Sequence, residues 1–179
     1  MKPRPVPLAL AALVLAGLVA GCAPEELAPP ARAAAATVSA ADTIDFDGVR
    51  DVRIGETAAQ LTADGDMARP KEACGPVLTE ISQASPVMAD GRLVLLWADP
   101  PLATPEGVGV GTPLATARAA YPQATTLTAP AGTYRFDGLM VTQGDRAYLF
   151  LHDGQTVRKT VVGYTDHAQR LFTDGFGAC

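Results

Sequence analysis

Two of the Asp-Gly dipeptides in this chain stand between runs that read as strands, Asp90-Gly91 ahead of "RLVLLW" and Asp153-Gly154 ahead of "QTVRKTVVG". Such a pair between apolar strands is a strong signal for a type I′ hairpin, because both central residues of that turn need a positive φ and its twist suits the flanking strands. Two antiparallel hairpins are therefore predicted, one in each half of the folded region. The segments ahead of them also correspond. Val52-Arg53-Ile54-Gly55 aligns with Val108-Gly109-Val110-Gly111, and each is followed by a polar start and an Ala-rich stretch, "ETAAQL" and "TPLATARAAYP". In the second copy Thr112 is the expected N-cap with Pro113 at N1, and Leu114, Ala117 and Tyr121 fall on one helical face before Pro122 ends the helix. Each half reads strand, helix, antiparallel strands. The expected fold class is α+β, with two helix-plus-antiparallel-sheet half repeats forming one domain over residues 43–179.

The first 21 residues read differently. Met1 to Pro7 carry Lys2 and Arg4 and no acid, and Leu8 to Gly21 are almost wholly Ala, Leu, Val and Gly. That is the charged and apolar layout of a secretory signal. The apolar run is shorter than the roughly 20 residues that cross a bilayer, and no basic stop-transfer cluster follows it. Val19-Ala20-Gly21-Cys22 resembles the lipobox of bacterial lipoprotein precursors, with the motif's cysteine falling on Cys22. A thiol can be alkylated by a diacylglycerol where a hydroxyl cannot compete at neutral pH. The resemblance implies cleavage before Cys22, lipidation of its thiol, palmitate among its acyl chains, and a protein held at the extracytoplasmic face of the cell membrane. Two or three acyl chains, at about 0.8 kcal/mol per buried methylene, anchor a protein stably. From Cys22 to Asp42 the chain is rich in Ala and Pro with almost no large apolar side chain, and reads as a lipidated N-terminus and tether rather than as core.

The chain has three cysteines. With Cys22 lipidated in an oxidising compartment, Cys74 and Cys179 remain as an even pair, and a disulfide between them is expected; two unrelated free thiols are the alternative. Zinc is a weaker reading, because its sites want clustered ligands and His152 and His167 stand at no ligand spacing to either cysteine. The chain carries 14 Lys+Arg and 19 Asp+Glu; without Lys2 and Arg4 this becomes 12 against 19, a net charge of −7. Such a chain repels polyphosphate and has no basic stripe, so nucleic acid is not an expected partner.

The pattern of a short strand ending in Gly, a Thr-capped helix and a following antiparallel sheet, met twice, resembles the repeats of the beta-lactamase inhibitory protein and of small SmpA/BamE-type lipoproteins. It is also similar to actinobacterial lipoproteins with one cysteine in the first half and another at the extreme C-terminus. Gly55, Gly111-Thr112, Tyr121-Pro122, Cys74 and Cys179 carry the likeness, over about residues 45–179. The first copy departs from it, with Gly55-Glu56-Thr57 in place of Gly-Thr and no Tyr-Pro after its helix. The resemblance implies protein binding by a sheet face, without catalysis.

Enzyme motifs are thin. "GVGVGTP", Gly107 to Pro113, has neither the dinucleotide fingerprint nor the Lys-Ser/Thr of a P-loop. Asp45, Asp47 and Asp51 lack the further acids of an EF-hand, and a solvated turn is the simpler reading. Ser39, Ser82 and Ser85 lie in no nucleophile elbow. His152 and His167 are read as exposed polar residues, and Glu72 with Glu80, or Glu106 with Asp153, form an acid/base pair only if folding joins them. No metal, cofactor or catalytic residue is expected. The remaining signal is aromatic: Tyr134 and Phe136 share one strand face, as do Tyr148 and Phe150, and an antiparallel sheet would align all four as core or as a candidate binding face. The expected function is a lipid-anchored, non-enzymatic module that binds a protein partner or assists envelope assembly. The alternative is a cell-envelope hydrolase, which a polar pocket holding His152 or His167 beside two carboxylates would favour.

Overall fold

A computed structural model describes residues 39–69, 75–131, 133 and 135–175. Cys22, Cys74, Cys179 and Tyr134 lie outside the described residues, and with them the expected leader, lipid site and disulfide.

The chain opens with a short meander, β1 (Ile44–Asp45), β2 (Gly48–Val49) and β3 (Val52–Arg53), followed by α1 (Ala58–Ala63) and a small pair, β4 (Met67–Ala68) and β5 (Val77–Leu78). Then come β6 (Ala84–Ala89), β7 (Arg92–Ala98), α2 (Leu114–Ala120), β8 (Thr125–Leu127), β9 (Asp137–Gln143), β10 (Arg146–His152), β11 (Val157–Tyr164) and α3 (Thr165–Asp174). The last six strands form one antiparallel sheet in the order β6-β7-β11-β10-β9-β8. Mixed helix and antiparallel sheet is the α+β class the sequence predicts.

Alternation gives this sheet two apolar faces. One presents Leu96, Leu139, Val141, Tyr148, Phe150 and Val162, packed with Ile44, Val49, Val52, Leu61, Leu114 and Ala117 from the meander, α1 and α2. The other presents Leu95, Met140, Ala147, Leu149 and Val161 to Ala168, Leu171 and Phe172 of α3. The buried α3 positions recur at three and four residues, the spacing of one helical face.

Asp90-Gly91 makes the predicted two-residue hairpin, with φ of 49° and 73°. Asp153-Gly154 also begins a hairpin loop, but a four-residue one, Asp153 to Thr156, because the Asp153 carboxylate accepts from the amides of Gln155 (2.9 Å) and Thr156 (2.8 Å) and shapes the turn itself. A third hairpin, through Gly144-Asp145, joins β9 to β10. The helix start also differs from expectation. α2 begins at Leu114 with Pro113 at the N-cap and no side-chain cap, because the Thr112 hydroxyl instead accepts from the Gly109 amide at 3.0 Å. Leu114, Ala117 and Tyr121 are buried on one face as predicted. α1 has the fuller cap: Thr57 Oγ1 accepts from the Gln60 amide at 3.2 Å, and the Gln60 side chain accepts from the Thr57 amide at 2.9 Å.

The entries to α1 and α2 are pinned to strand starts in the same way. Gly55 N–H donates to Leu93 O (2.8 Å), Leu93 N–H to Glu56 O (2.8 Å) and Ala58 N–H to Gly91 O (2.9 Å). Gly111 N–H donates to Val157 O (2.9 Å), Val157 N–H to Thr112 O (2.9 Å) and Leu114 N–H to Gln155 O (2.8 Å). The residue after each anchored strand start, Val94 and Arg158, is skipped in the ladder to the hairpin partner, so both strands bulge at the corresponding place. β7 and β11 lie antiparallel at the centre, with Trp97 opposite Val161. Their close approach depends on Gly163, at φ 152°, where a Cβ would stand 2.1 Å from the Val94 carbonyl oxygen.

Candidate functional site

Among the described residues the α3 face is only half covered, and geometry explains why. A ten-residue helix is about 15 Å long, whereas the eight residues of β11 extend roughly 26 Å. α3 leaves β11 at Tyr164 and packs back over β10, β11 and β7. Its Phe172 ring lies over Gly138, 3.0 Å from where a Cβ would be. Beyond its last turn the face opens into a cleft of about 330 Å³ bounded by Trp97, Arg135, Phe136, Leu151, Lys159 and Phe172. Trp97 is half-buried, and the Lys159 ammonium sits 5.2 Å from its ring centroid. Arg135 closes the helix end, its guanidinium donating to the carbonyls of Thr173 (2.8 Å) and Leu171 (2.9 Å) and to that of Phe172. Leu171 O also accepts from the Gly175 amide at 3.1 Å, whereas the carbonyls of Phe172 and Thr173 lie in the last turn, at the negative end of the helix dipole. A second cleft, about 270 Å³, shares Trp97 and Lys159 and continues to Ser85, Asp99 and Arg158.

The predicted aromatic set is divided by this arrangement. Tyr148 and Phe150 do share a face, with ring centroids 5.8 Å apart, but both are buried in the core. Phe46 stacks on Tyr148 at 3.9 Å and Tyr121 on Phe150 at 5.7 Å. Burial raises the phenol pKa of both Tyr121 and Tyr148; the Tyr121 hydroxyl donates to the Glu106 carboxylate, and that of Tyr148 to Ile44 O at 3.4 Å. Phe136 precedes β9 and lines the cleft on the α3 side instead. Trp97, which the sequence reading passed over inside "RLVLLW", is the aromatic residue that bridges both clefts. Its signal was available: a tryptophan alternating with Leu95 must face the same way as that buried leucine, near a strand end.

The histidines are not the exposed residues predicted. His152 is buried, and its Nδ1 accepts the Gly154 amide at 3.1 Å, which assigns the neutral ring's proton to Nε2. Burial pushes its pKa down, with Arg118 acting in the same direction and Asp137 and Asp153 opposing. Asp153 itself is held at about pKa 2, first by the Thr156 amide, then by Gln155 and Arg158. His167 is half-buried, and its Nδ1 lies 3.0 Å from Asp166 Oδ1. That contact holds the Asp166 carboxyl below its ordinary range. His167 and Asp166 share a cleft of about 270 Å³ with Asp90, Arg92 and Tyr164; the Arg92 guanidinium donates to Gly55 O at 3.0 Å, and that of Arg146 lies 4.1 Å from the Tyr164 ring centroid.

Other motifs are absorbed by the fold. The amides of Gly107, Val108, Gly109 and Gly111 donate to Thr104 O, Thr104 Oγ1, Thr112 Oγ1 and Val157 O, so they point at the chain itself. Asp45 Oδ1 accepts from the Asp47 and Gly48 amides, both at 2.9 Å, forming the turn between β1 and β2. Among the described residues no three His, Cys, Asp or Glu side chains gather in a metal-holding group, and no helix is long and apolar enough to cross a membrane. What the described residues define is an α+β domain with a six-stranded antiparallel sheet that they cover fully on one face and partly on the other. No protein-family model, curated protein or solved structure matches the chain.

Proposed function

We propose that this chain is an exported lipoprotein, cleaved before and acylated on Cys22, whose domain over residues 43–179 works as a non-enzymatic protein-binding or envelope-assembly module at the extracytoplasmic face of the cell membrane. The basic and apolar leader with Val19-Ala20-Gly21-Cys22, and the Ala/Pro tether after it, support the anchor. The domain is read as two half repeats: the matching backbone bonds at Gly55 and Gly111, the matching bulges at Val94 and Arg158, and the central Trp97–Val161 pair support an internal duplication about β7 and β11. A Cys74–Cys179 disulfide joining the halves belongs to the same reading.

The observation that carries the binding role is Trp97, half-buried in a sheet face that α3 leaves open, between apolar walls and a cation. Tryptophan in such a setting is the side chain most enriched where proteins bind. A photo-activatable cross-linker at exposed Ser85, opposite Trp97, should give one discrete adduct in intact cells, lost in Trp97→Ala and absent with the cross-linker at exposed Ala119 on α2. An adduct that ignores both controls would remove the binding face. Radiolabelled palmitate should enter the wild type and not Cys22→Ser. Peptide mass spectrometry without reductant should find Cys74 joined to Cys179.

The cleft holding His167 beside Asp166 and Asp90 favours a second reading, a cell-envelope hydrolase. A histidine ordered by one carboxylate is the usual form of a general base. Tyr164 is the only hydroxyl lining that cleft among the described residues. Hydrolysis of chromogenic esters or amides by the wild type, abolished in His167→Ala with the fold intact, would establish this reading in place of the first.

A further inference from the structure

The two clefts that meet at Trp97 and Lys159 form one groove, and its charge is opposite to that of the chain. The full sequence has 14 Lys+Arg against 19 Asp+Glu, yet Arg135, Lys159 and Arg158 line this groove with Asp99 as the one carboxylate among the described residues. Arg158 is paired with Asp153 at 2.6 Å. Lys159 is paired with no carboxylate among the described residues and rests against the Trp97 ring. The guanidinium of Arg135 is bonded to carbonyls, which leave its charge formally uncancelled. The apolar part, Trp97, Leu151 and Phe136, gathers at one end of the groove.

From this charge complementarity the geometry points to an occupant of one kind: an extended segment of a partner protein that carries a carboxylate two residues from an apolar side chain. The inference rests on the binding-module reading and names its chemistry. A spacing of two residues is what the space asks for. Volumes of about 330 and 270 Å³ each admit one large side chain, and an extended strand sends every second residue to the same side. An apolar residue enters beside Leu151 and Trp97, while the carboxylate two residues away reaches Lys159. On the half-dry face of a sheet such charge contacts set orientation and reject a basic segment.

Trp97 is the chain's only tryptophan, so its emission reports on the groove directly. The full chain in zwitterionic lipid discs is titrated with a synthetic extended peptide carrying leucine and glutamate two residues apart, and separately with a peptide of equal length in which lysine replaces the glutamate. The acidic peptide is expected to shift Trp97 emission to the blue, and to bind at least about tenfold more tightly than the basic one. Lys159→Ala should weaken it, and Lys159→Glu should reverse the preference, both with unchanged thermal unfolding. Equal response to the two peptides, or a preference indifferent to Lys159, would overturn the proposal. So would a response seen only after residues 176–179 are removed, which would assign the groove to the chain's own C-terminus. A specific Ser85 adduct in cells without any peptide response would overturn the acidic chemistry and leave the binding-module reading standing; loss of both would remove both.

Discussion

The two faces of the six-stranded sheet are built from the same alternating strands, yet they end in different states. Tyr148 and Phe150 on one face are 1% and 0% exposed under the meander, α1, α2 and the loop through Leu102 and Val108. On the other, Leu149 and Val161 are fully buried beneath α3, while Trp97 and Leu151 on the same side are only half-buried. The difference is one of covering material. Among the described residues the first face has several segments to pack on it and the second has a single ten-residue helix. A strand pattern thus dictates which residues share a side, and the length of what packs there decides whether that side becomes core or surface.

The largest expected effect tests this contrast directly. Phe150→Ala should cost about 3–5 kcal/mol in urea unfolding, because the cavity left in a filled core collapses only partly. Trp97→Ala, on the open face, should cost less than about 1.5 kcal/mol, since its half-buried ring leaves no enclosed hole. Comparable losses would mean that the open face is as well packed as the closed one. Next is Gly163→Ala, between the faces: its Cβ meets the Val94 carbonyl at a φ only glycine accepts readily, and we expect a loss of about 2–3 kcal/mol by the same measurement. A neutral result would show that β7 and β11 can separate without cost. Thr57→Ala removes the cap of α1 above the closed face and should lower stability by about 1 kcal/mol, with Thr57→Ser restoring most of it.

The smallest effect is a pH slope. His152 follows Tyr148 and Phe150 on the closed side, and burial lowers its pKa from 6.5. Below pH 6.5 the unfolded chain takes up a proton that the folded chain resists, so the stability from neutral His152 is fully present above that pH and is lost as pH falls through 6.5 toward the folded value. Protonating Nδ1 would also break its bond to the Gly154 amide. Chemical unfolding of wild type and His152→Gln across this window should show a shallower slope in the variant. Parallel curves would mean that His152 titrates alike in both states.

Much of the fold is legible locally. Asp90-Gly91 specifies its own turn, and Leu114, Ala117 and Tyr121 show a helical face, because φ preference and periodicity act within a few residues. The Thr57-x-x-Gln60 capping box and the Gly144-Asp145 hairpin were equally local signals that went unread. The start of α2 could not be read that way, because Thr112 had two uses and the Gly107–Gly111 loop took its hydroxyl. Nor could His152, whose burial depends on β9 and the 153–156 loop folding around it.

By itself the sequence determined that there would be antiparallel hairpins and short amphipathic helices, and that Tyr148 and Phe150 would point one way and Leu149 and Leu151 the other. Those are consequences of backbone φ preference and of the two-residue period of a strand. Only the tertiary structure decided that the first pair is sealed, that Phe136 departs from it, and that Trp97, Leu151 and Lys159 meet at an opening. Covering a sheet depends on how far a separate element reaches across it, and the reach of α3 is set by where β11 ends and where Arg135 holds the helix's last carbonyls, neither of which is written in the strand that it leaves bare.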